Sequence, residues 1–277
     1  AAVHMHVSGA RLSAFSSSCL ETRKIYSVQP GSEQNQGQKT SGNGEPLNGA
    51  HDPLIGSVID GKYRIMSRLG GGGMGAVYKA EHVMMARMVA VKVLHRHLAS
   101  PQLESDEFMK RFQREARTAC KIEHPNATTI YDFGYFDDQA YLVMQYNPGR
   151  ELKKILAEEG PLPARRCYVI LGQVCRAVAA AHKLNIIHRD LKPDNIMCFF
   201  DDDGSERVQV LDFGLAKALG DGDSENSTMT KTGIVMGTPQ YMAPEQAVGL
   251  ELDGRSDLYS LGVILYEMLT GTQPFSA

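Results

Sequence analysis

The chain has 277 residues, 43% hydrophobic and 22% charged, close to the average for a soluble globular protein. Its formal net charge of −3 excludes a strongly basic nucleic-acid binder as the default reading. No uncharged apolar stretch approaches the roughly 18 residues of a membrane span, so no membrane contact is expected within this segment; the longest candidate, Leu258 to Tyr266, stops at Glu267.

Residues 1–55 are rich in Ser, Gly, Gln and Asn and lack sustained periodicity, so they are expected to form a disordered tail. The run Arg11 to Lys24 is Ser-containing and poor in acids, a weak likeness to a transit segment that is outweighed by a plain tail. From Val58 onward the patterning strengthens. Tyr63–Met66, Ala76–Ala80 and Met88–Leu94 alternate like strands. A helix is predicted over Glu104 to Lys121, with Phe108, Phe112, Ala116 and Ala119 on one stripe. Thr128–Tyr131 and Tyr141–Met144 then read as strands flanking an Asp137-Asp138 turn. Pro148-Gly149 marks a break, after which the chain is mainly helical. Tyr168, Leu171, Val174, Cys175, Val178 and Ala181 outline one amphipathic helix. A hairpin of Asn195–Phe200 and Arg207–Leu211 follows, and Asp257 to Thr270 is a buried-looking helix stopped by Gly271. This gives three parts: a tail (1–55), a β-rich part (56–147) and a helical part (148–277).

Chemistry concentrates in a few places. Gly70, Gly72, Gly75 and Val77 fit G-x-G-x-x-G-x-V, and a strand rather than a helix follows, which argues against a dinucleotide fold. A glycine hairpin can still press its backbone N–H groups onto phosphates. Lys92 stands in the apolar strand Val89-Ala90-Val91-Lys92, and Glu115 shares the helix stripe of Phe112, so the two are expected to pair. His188-Arg189-Asp190-Leu191-Lys192-Pro193-Asp194-Asn195 offers a proton acceptor in Asp190, a cation in Lys192 and an amide ligand in Asn195. Asp212-Phe213-Gly214 adds a second carboxylate, and Asn195 with Asp212 would suit a hard cation such as Mg²⁺. A second Asp-Phe-Gly, at Asp132, precedes this loop in the β-rich part and is read as structural.

Together these motifs make the chain resemble the bacterial eukaryotic-like (Hanks-type) Ser/Thr protein kinases, over Val58 to Ala277. The resemblance implies an α+β, bilobal protein-kinase-like fold: a small β-rich N-lobe with one key helix, and a mainly helical C-lobe that is incomplete here. It implies ATP with Mg²⁺, or Mn²⁺ in its place, and transfer of the γ-phosphoryl group to Ser/Thr hydroxyls of protein substrates. Leu69, Gly70, Gly72, Gly75, Val77, Ala90 and Lys92 would cover the nucleotide. Met144, Gln145, Tyr146 and Asn147 would meet the adenine edge; the family usually carries Glu where Gln145 stands, so a peripheral ion pair is expected to be missing. Asp190 would be the proton acceptor, Lys192 would reach the γ-phosphate, and Glu115 would hold Lys92. Asp257 resembles the carboxylate that braces the catalytic loop. Arg189 is expected to await an anion, supplied by phosphorylation of Thr230 or Thr232, and a second copy of the chain could deliver that phosphate in trans. Gly237 to Glu245 resembles the substrate-facing segment.

The alternatives are a nucleotide-binding pseudokinase scaffold and a kinase-fold small-molecule phosphotransferase. The joint presence of Lys92, Glu115, Asp190, Asn195 and Asp212 argues against the first, and the Gly237–Glu245 segment against the second. Asp201-Asp202-Asp203-Gly204 is read as a solvated turn, His95, His97, His4 and His6 as surface histidines, and the scattered methionines as core filler. Cys19, Cys120, Cys167, Cys175 and Cys198 form no C-x-x-C pair, which points to reduced thiols in the cytoplasm. The chain opens on Ala1 and breaks off at Ala277, as a piece of a longer protein would, and a membrane anchor beyond residue 277 is compatible with that. Glu245 lacks an arginine partner downstream, so a thermal melt is expected to give this chain a lower midpoint than a longer one. Equal midpoints would refute that expectation.

Overall fold

Side-chain alternation builds the first half of the molecule. In a computed structural model, residues 52–73, 75–95, 105–214 and 239–275 are described. Strands β1 (Val58–Ile59), β2 (Tyr63–Gly72), β3 (Gly75–His82), β4 (Arg87–Leu94), β5 (Ile130–Phe136) and β6 (Gln139–Gln145) form one antiparallel sheet. Its order is β1-β2-β3-β4-β6-β5. Period-two geometry divides each strand between two faces. Val89, Val91, Val93, Tyr141 and Val143 join Ile65 and Tyr78 in one apolar cluster. Ala90, Leu94, Ala140, Leu142 and Met144 join helix α1 (Ser105–Ala119) in another. Lys92 lies in phase with Ala90 and Leu94 and alternates with Val91 and Val93, so its side chain belongs to the α1 face. That register puts an ammonium where a purely structural strand would carry a valine.

The predicted helical stripe holds: Phe108, Phe112, Ala116 and Ala119 are all buried. The Phe112 ring meets Phe133 and Tyr135 edge-on at 6.1 and 5.7 Å, and the Tyr135 hydroxyl donates to the Met109 carbonyl at 3.0 Å. The turn between β5 and β6 carries Asp137 and Asp138 at φ 49° and 59°, the paired left-handed geometry of a tight hairpin. Strand β5 starts two residues later than the Thr128–Tyr131 pattern suggests. Thr128 and Thr129 instead bond outward: the Thr128 N–H goes to Val210 and the Thr129 carbonyl accepts from Gln145 N–H.

Beyond the connector the elements are β7 (Arg150–Glu151), α2 (Leu152–Glu159), α3 (Ala164–His182), β8 (Ile196–Phe200), β9 (Glu206–Val210), the single-turn helix α4 (Pro244–Ala247) and α5 (Gly254–Thr270). Strands β7, β8 and β9 make a small second sheet. Helix α3 corrects the sequence reading of its face. Tyr168 is 79% exposed and Cys175 is exposed, whereas Cys167, Ile170, Gln173, Val174, Ala177, Val178 and Ala181 are buried. The true stripe runs through small Ala177 and polar Gln173, which a count of large apolar residues passes over. Gln173 is satisfied: its Oε1 accepts from Asn126 Nδ2 and Val208 N–H, both at 3.0 Å.

Helix α5 starts at the Asp253 cap and ends at Gly271, whose φ of 74° is the left-handed stop expected for glycine. Asp201 to Gly204 is the β8–β9 turn, with Gly204 at φ 77°. Cys120, Cys167, Cys175 and Cys198 are free thiols, and burial pushes Cys198 up to about 12. Among the described residues, no helix is long and apolar enough to cross a membrane. Because Phe112 is fully buried between α1 and the sheet, Phe112→Ala is expected to cost about 3–5 kcal/mol in urea denaturation.

Candidate active site

The cleft face of the sheet supplies one half of the site. Leu69 is exposed at the end of β2, followed by Gly70 and Gly72, while Gly75 opens β3. The glycines differ in why they are glycine. A Cβ on Gly75 would lie 2.2 Å from the Val93 carbonyl oxygen, and Gly75 has φ 156°, so the fold itself demands glycine there. A Cβ on Gly70 or Gly72 would meet nothing within 4 Å. Among the described residues nothing occupies the space that a side chain at either position would take, which leaves the backbone there open to close approach. His95 is not merely a surface histidine: its Nε2 lies 3.2 Å from the Gly72 carbonyl oxygen, at the hairpin tip. Val77, Ala90 and Met144 share the apolar cluster beneath the hairpin.

Lys92 is only 7% exposed and its Nζ lies 2.6 Å from Asp212 Oδ2. The expected Lys92–Glu115 pair is therefore replaced here. Glu115 Oε1 instead accepts from Arg114 Nε at 3.2 Å. The reason is geometric: Asp212 adopts a left-handed backbone, φ 60°, which turns its carboxylate toward the ammonium. A buried ammonium must have a partner, and the carboxylate at hydrogen-bond distance takes that place.

The other half of the site hangs from Asp257 in the first turn of α5, where the helix dipole favours a carboxylate. Asp257 is 1% exposed. Its Oδ2 accepts from His188 N–H at 2.9 Å and contacts His182 Nε2 at 2.7 Å, and its Oδ1 accepts from Arg189 N–H at 3.0 Å. The bracing expected of Asp257 is thus in place. His182 was not singled out in the sequence; its only signal is a histidine closing an apolar helix six residues before His188. Fully buried His188 accepts the Asp190 N–H at Nδ1 (3.3 Å) and lies 2.8 Å from the Leu211 carbonyl through Nε2. That pattern assigns the proton to Nε2. The His188 ring also packs on Phe213, centroids 4.9 Å apart, which ties the Asp190 turn to the Asp212 segment.

Arg189 has φ 70°, and its carbonyl accepts from Gln246 Nε2 at 2.8 Å. Left-handed backbone at two non-glycine residues, Arg189 and Asp212, costs about 1–2 kcal/mol each. Burial pulls the Arg189 guanidinium below its ordinary value, and the carboxylates of Glu115 and Asp257 act against that. Burial outweighs those two carboxylates, which leaves the Arg189 cation under-compensated. Thr230 and Thr232 lie outside the described residues.

Asp190, Lys192 and Asn195 come together as the sequence suggested. Lys192 Nζ is 2.8 and 3.0 Å from the two carboxylate oxygens of Asp190, and Asn195 Nδ2 donates to the Asp190 carbonyl at 2.7 Å. Asn195 thus bonds inward through its nitrogen, and its oxygen is the atom chemically able to ligate a cation. Leu211 N–H donates to the Asn195 carbonyl at 2.9 Å, which ties the two would-be ligand segments together. The donor set is all oxygen, with a lysine close by, and so fits a hard divalent cation with a polyphosphate. Next to Asp190 a small recess is lined by Arg189, Leu191, Tyr241, Met242, Gln246 and Ser260. Tyr241 is held there by Glu267, at 2.5 Å, and by Ser260 through its carbonyl, at 2.7 Å. Glu245 is half-buried, and the Arg255 guanidinium, bonded to Asp253, stands within electrostatic reach of it.

The adenine-edge candidates lie on the connector after β6. Met144 is buried, the Lys79 ammonium sits 4.9 Å over the Tyr146 ring, and Gln145 and Asn147 make side-chain amide bonds considered below. Asp132 of the second Asp-Phe-Gly lies in β5 and accepts from the Tyr63 hydroxyl at 2.8 Å, far in role from a metal ligand.

A family model described as the protein kinase domain matches residues 63–277. Serine/threonine-protein kinase pkn3 of Myxococcus xanthus is 43% identical, over 82% of this chain and 41% of its own length. PrkC of Bacillus subtilis is 42% identical over 80% of this chain and 32% of its own, and PknB of Mycobacterium leprae 41% over 78% and 34%. This chain thus spans between about a third and two-fifths of those relatives. Among solved structures, the kinase domain of Mycobacterium tuberculosis PknI superposes with a TM-score of 0.62 at 29% identity, covering 80% of this chain and 78% of that one.

The two classes of glycine separate experimentally. Gly75→Ala is expected to lower stability by about 1–3 kcal/mol. Gly70→Ala and Gly72→Ala should stay within about 0.5 kcal/mol of the parent in urea melts while weakening nucleotide binding.

Proposed function

Because the chain belongs to the protein kinase domain family, we propose that it transfers the γ-phosphoryl group of ATP to Ser and Thr hydroxyls of protein substrates. The observation that supports this reading is a pair of close contacts, Lys92 with Asp212 and Asn195 with Asp190, linked by the Leu211 N–H bond to the Asn195 carbonyl. Lys92 reaches Asp212 at 2.6 Å, and Asn195 reaches Asp190 at 2.7 Å.

When bound, Mg²⁺–ATP supplies the transferable phosphoryl group and positive charge that offsets what develops during transfer. Asp212 and the Asn195 amide oxygen are the residues that would hold the cation, with Mn²⁺ as a substitute. Gly70 and Gly72 leave an open backbone for the phosphates. Lys92 exchanges its Asp212 partner for phosphate oxygens, and Glu115 is the carboxylate available to take the ammonium from the other side. Leu69, Val77, Ala90 and Met144 give the adenine an apolar seat, and Gln145 to Asn147 its polar edge. Asp190 orients the acceptor hydroxyl and takes its proton as the new O–P bond forms and the bond to the leaving phosphate breaks. Lys192, already paired with Asp190, neutralises charge at the transferring group.

We place the reaction in the cytoplasm, where thiols such as Cys120 and Cys175 stay reduced. Phosphorylation of Thr230 or Thr232, delivered by a second copy of the chain, is the activating step in this reading: the phosphate supplies the buried Arg189 guanidinium with an anionic partner. Two measurements test it. Asp190→Asn should lose about 10²–10⁴-fold in phosphorylation of a protein substrate while still binding ATP; full turnover would overturn the assignment. Mass spectrometry after incubation with Mg-ATP should find phosphate on Thr230 or Thr232. An active preparation carrying none would overturn the regulatory step.

A further inference from the structure

The connector between β6 and β7 is held by a chain of neutral amides. Gly149 N–H donates to Asn147 Oδ1 at 3.0 Å. Asn147 Nδ2 donates to Gln209 Oε1 at 2.8 Å. Gln209 Nε2 donates to Gln145 Oε1 at 3.2 Å and, more weakly, toward the Pro125 carbonyl at 3.4 Å. Gln209 is 6% exposed, so its amide has no ready exchange with water.

The direction of this chain is forced by its ends. A backbone N–H can only donate and a proline carbonyl can only accept. Asn147 must therefore present its oxygen to Gly149, which leaves its nitrogen for Gln209. Gln209 must then present its oxygen to Asn147 and its nitrogen to Gln145 and Pro125. No amide in the series can flip without setting two like atoms against each other. Gln209 thus grips the connector on both sides of Tyr146, at residues 145 and 147. It does so from β9, whose chain continues through Leu211 to Asp212. The missing ion pair expected at Gln145 is thereby replaced by an uncharged bond, which needs only an acceptor from Gln145 and a donor from Gln209.

We propose that Gln209 is a positioning residue for the nucleotide site: it fixes the backbone of 145–147 that meets adenine and couples it to the strand bearing Asp212. The inference rests on the nucleotide reading above. It predicts that losing the donor at Gln209 weakens the adenine half of the ligand, leaving the protein-substrate side alone.

Adenosine and ATP affinities are measured by calorimetry, with the KM for a protein substrate alongside. The unaltered chain comes first: no binding of either ligand would overturn the nucleotide reading itself. Gln209→Glu keeps the size and the acceptor for Asn147 but sets an anionic oxygen against Gln145 and Pro125. It is expected to weaken adenosine and ATP by about tenfold each, with substrate KM within twofold. Gln145→Glu keeps an acceptor at its position, and its loss should be at least fivefold smaller than that of Gln209→Glu. Equal losses from the two variants, or adenosine affinity within twofold of the parent in Gln209→Glu, would overturn the role of Gln209 and leave the nucleotide reading standing. If Gln209→Glu does not fold, Asn147→Asp serves instead, since it retains the acceptor for Gly149 and deletes the donor to Gln209. It should weaken adenosine at least fivefold, and an unchanged affinity would overturn the proposal.

Discussion

One buried carboxylate organises the catalytic side of this molecule. Asp257 is almost fully removed from water, a position that penalises charge unless hydrogen bonds replace the lost solvation. Two backbone N–H groups and a histidine do so. In return Asp257 fixes His188 and Arg189, the residues that lead into Asp190. His188 then reaches Leu211 and stacks on Phe213, so the order passes to Asp212, and Asp212 meets Lys92 across the cleft. A single acid in a helix of the C-terminal half thus bears on an ammonium in the β-sheet through three successive contacts: Asp257 to His188, His188 to Leu211 and Phe213 on either side of Asp212, and Asp212 to Lys92. Each link is short and directional, and removing the first leaves several buried donors without acceptors.

At the far end of that series the constraint becomes a competition. Lys92 is confined by strand alternation to the face that carries α1, so it cannot avoid choosing between carboxylates. In this structure Asp212 holds it, and Glu115 leans on Arg114 with Arg189 nearby. The arrangement gives Lys92 and Glu115 each a partner, yet it commits to the lysine the carboxylate best suited to a cation. A polyphosphate arriving together with a divalent cation would give Lys92 an anionic partner and Asp212 a cationic one in exchange for their mutual contact.

Much of this was legible in the residues. The glycine hairpin, the strand lysine, the catalytic turn and the Asp212 tripeptide announce themselves by type and spacing, and α1 by its Phe108–Phe112–Ala116 stripe. The failures have physical causes. Which carboxylate an ammonium takes depends on helix rotation and on one left-handed dihedral at Asp212, and no periodicity encodes either. The face of α3 was misread because Tyr168 looks apolar while Gln173 and Ala177 do not look like core, although packing and satisfied amides decide the matter. The Gln145–Gln209–Asn147 chain escapes any charge-based reading, because its members are neutral and Gln209 stands more than sixty residues from the other two in sequence.

The left-handed backbones of Arg189 and Asp212 carry a further consequence for anyone reshaping this protein. Both positions hold strain that glycine would release, so a search for heat tolerance alone would be drawn to them. The recovered energy, about 1–2 kcal/mol per site less the added freedom of the unfolded chain, would register as success. Yet those dihedrals aim the guanidinium and the carboxylate. Selection for robustness and selection for turnover pull in opposite directions at these two positions, which should be held fixed before any stabilising redesign begins.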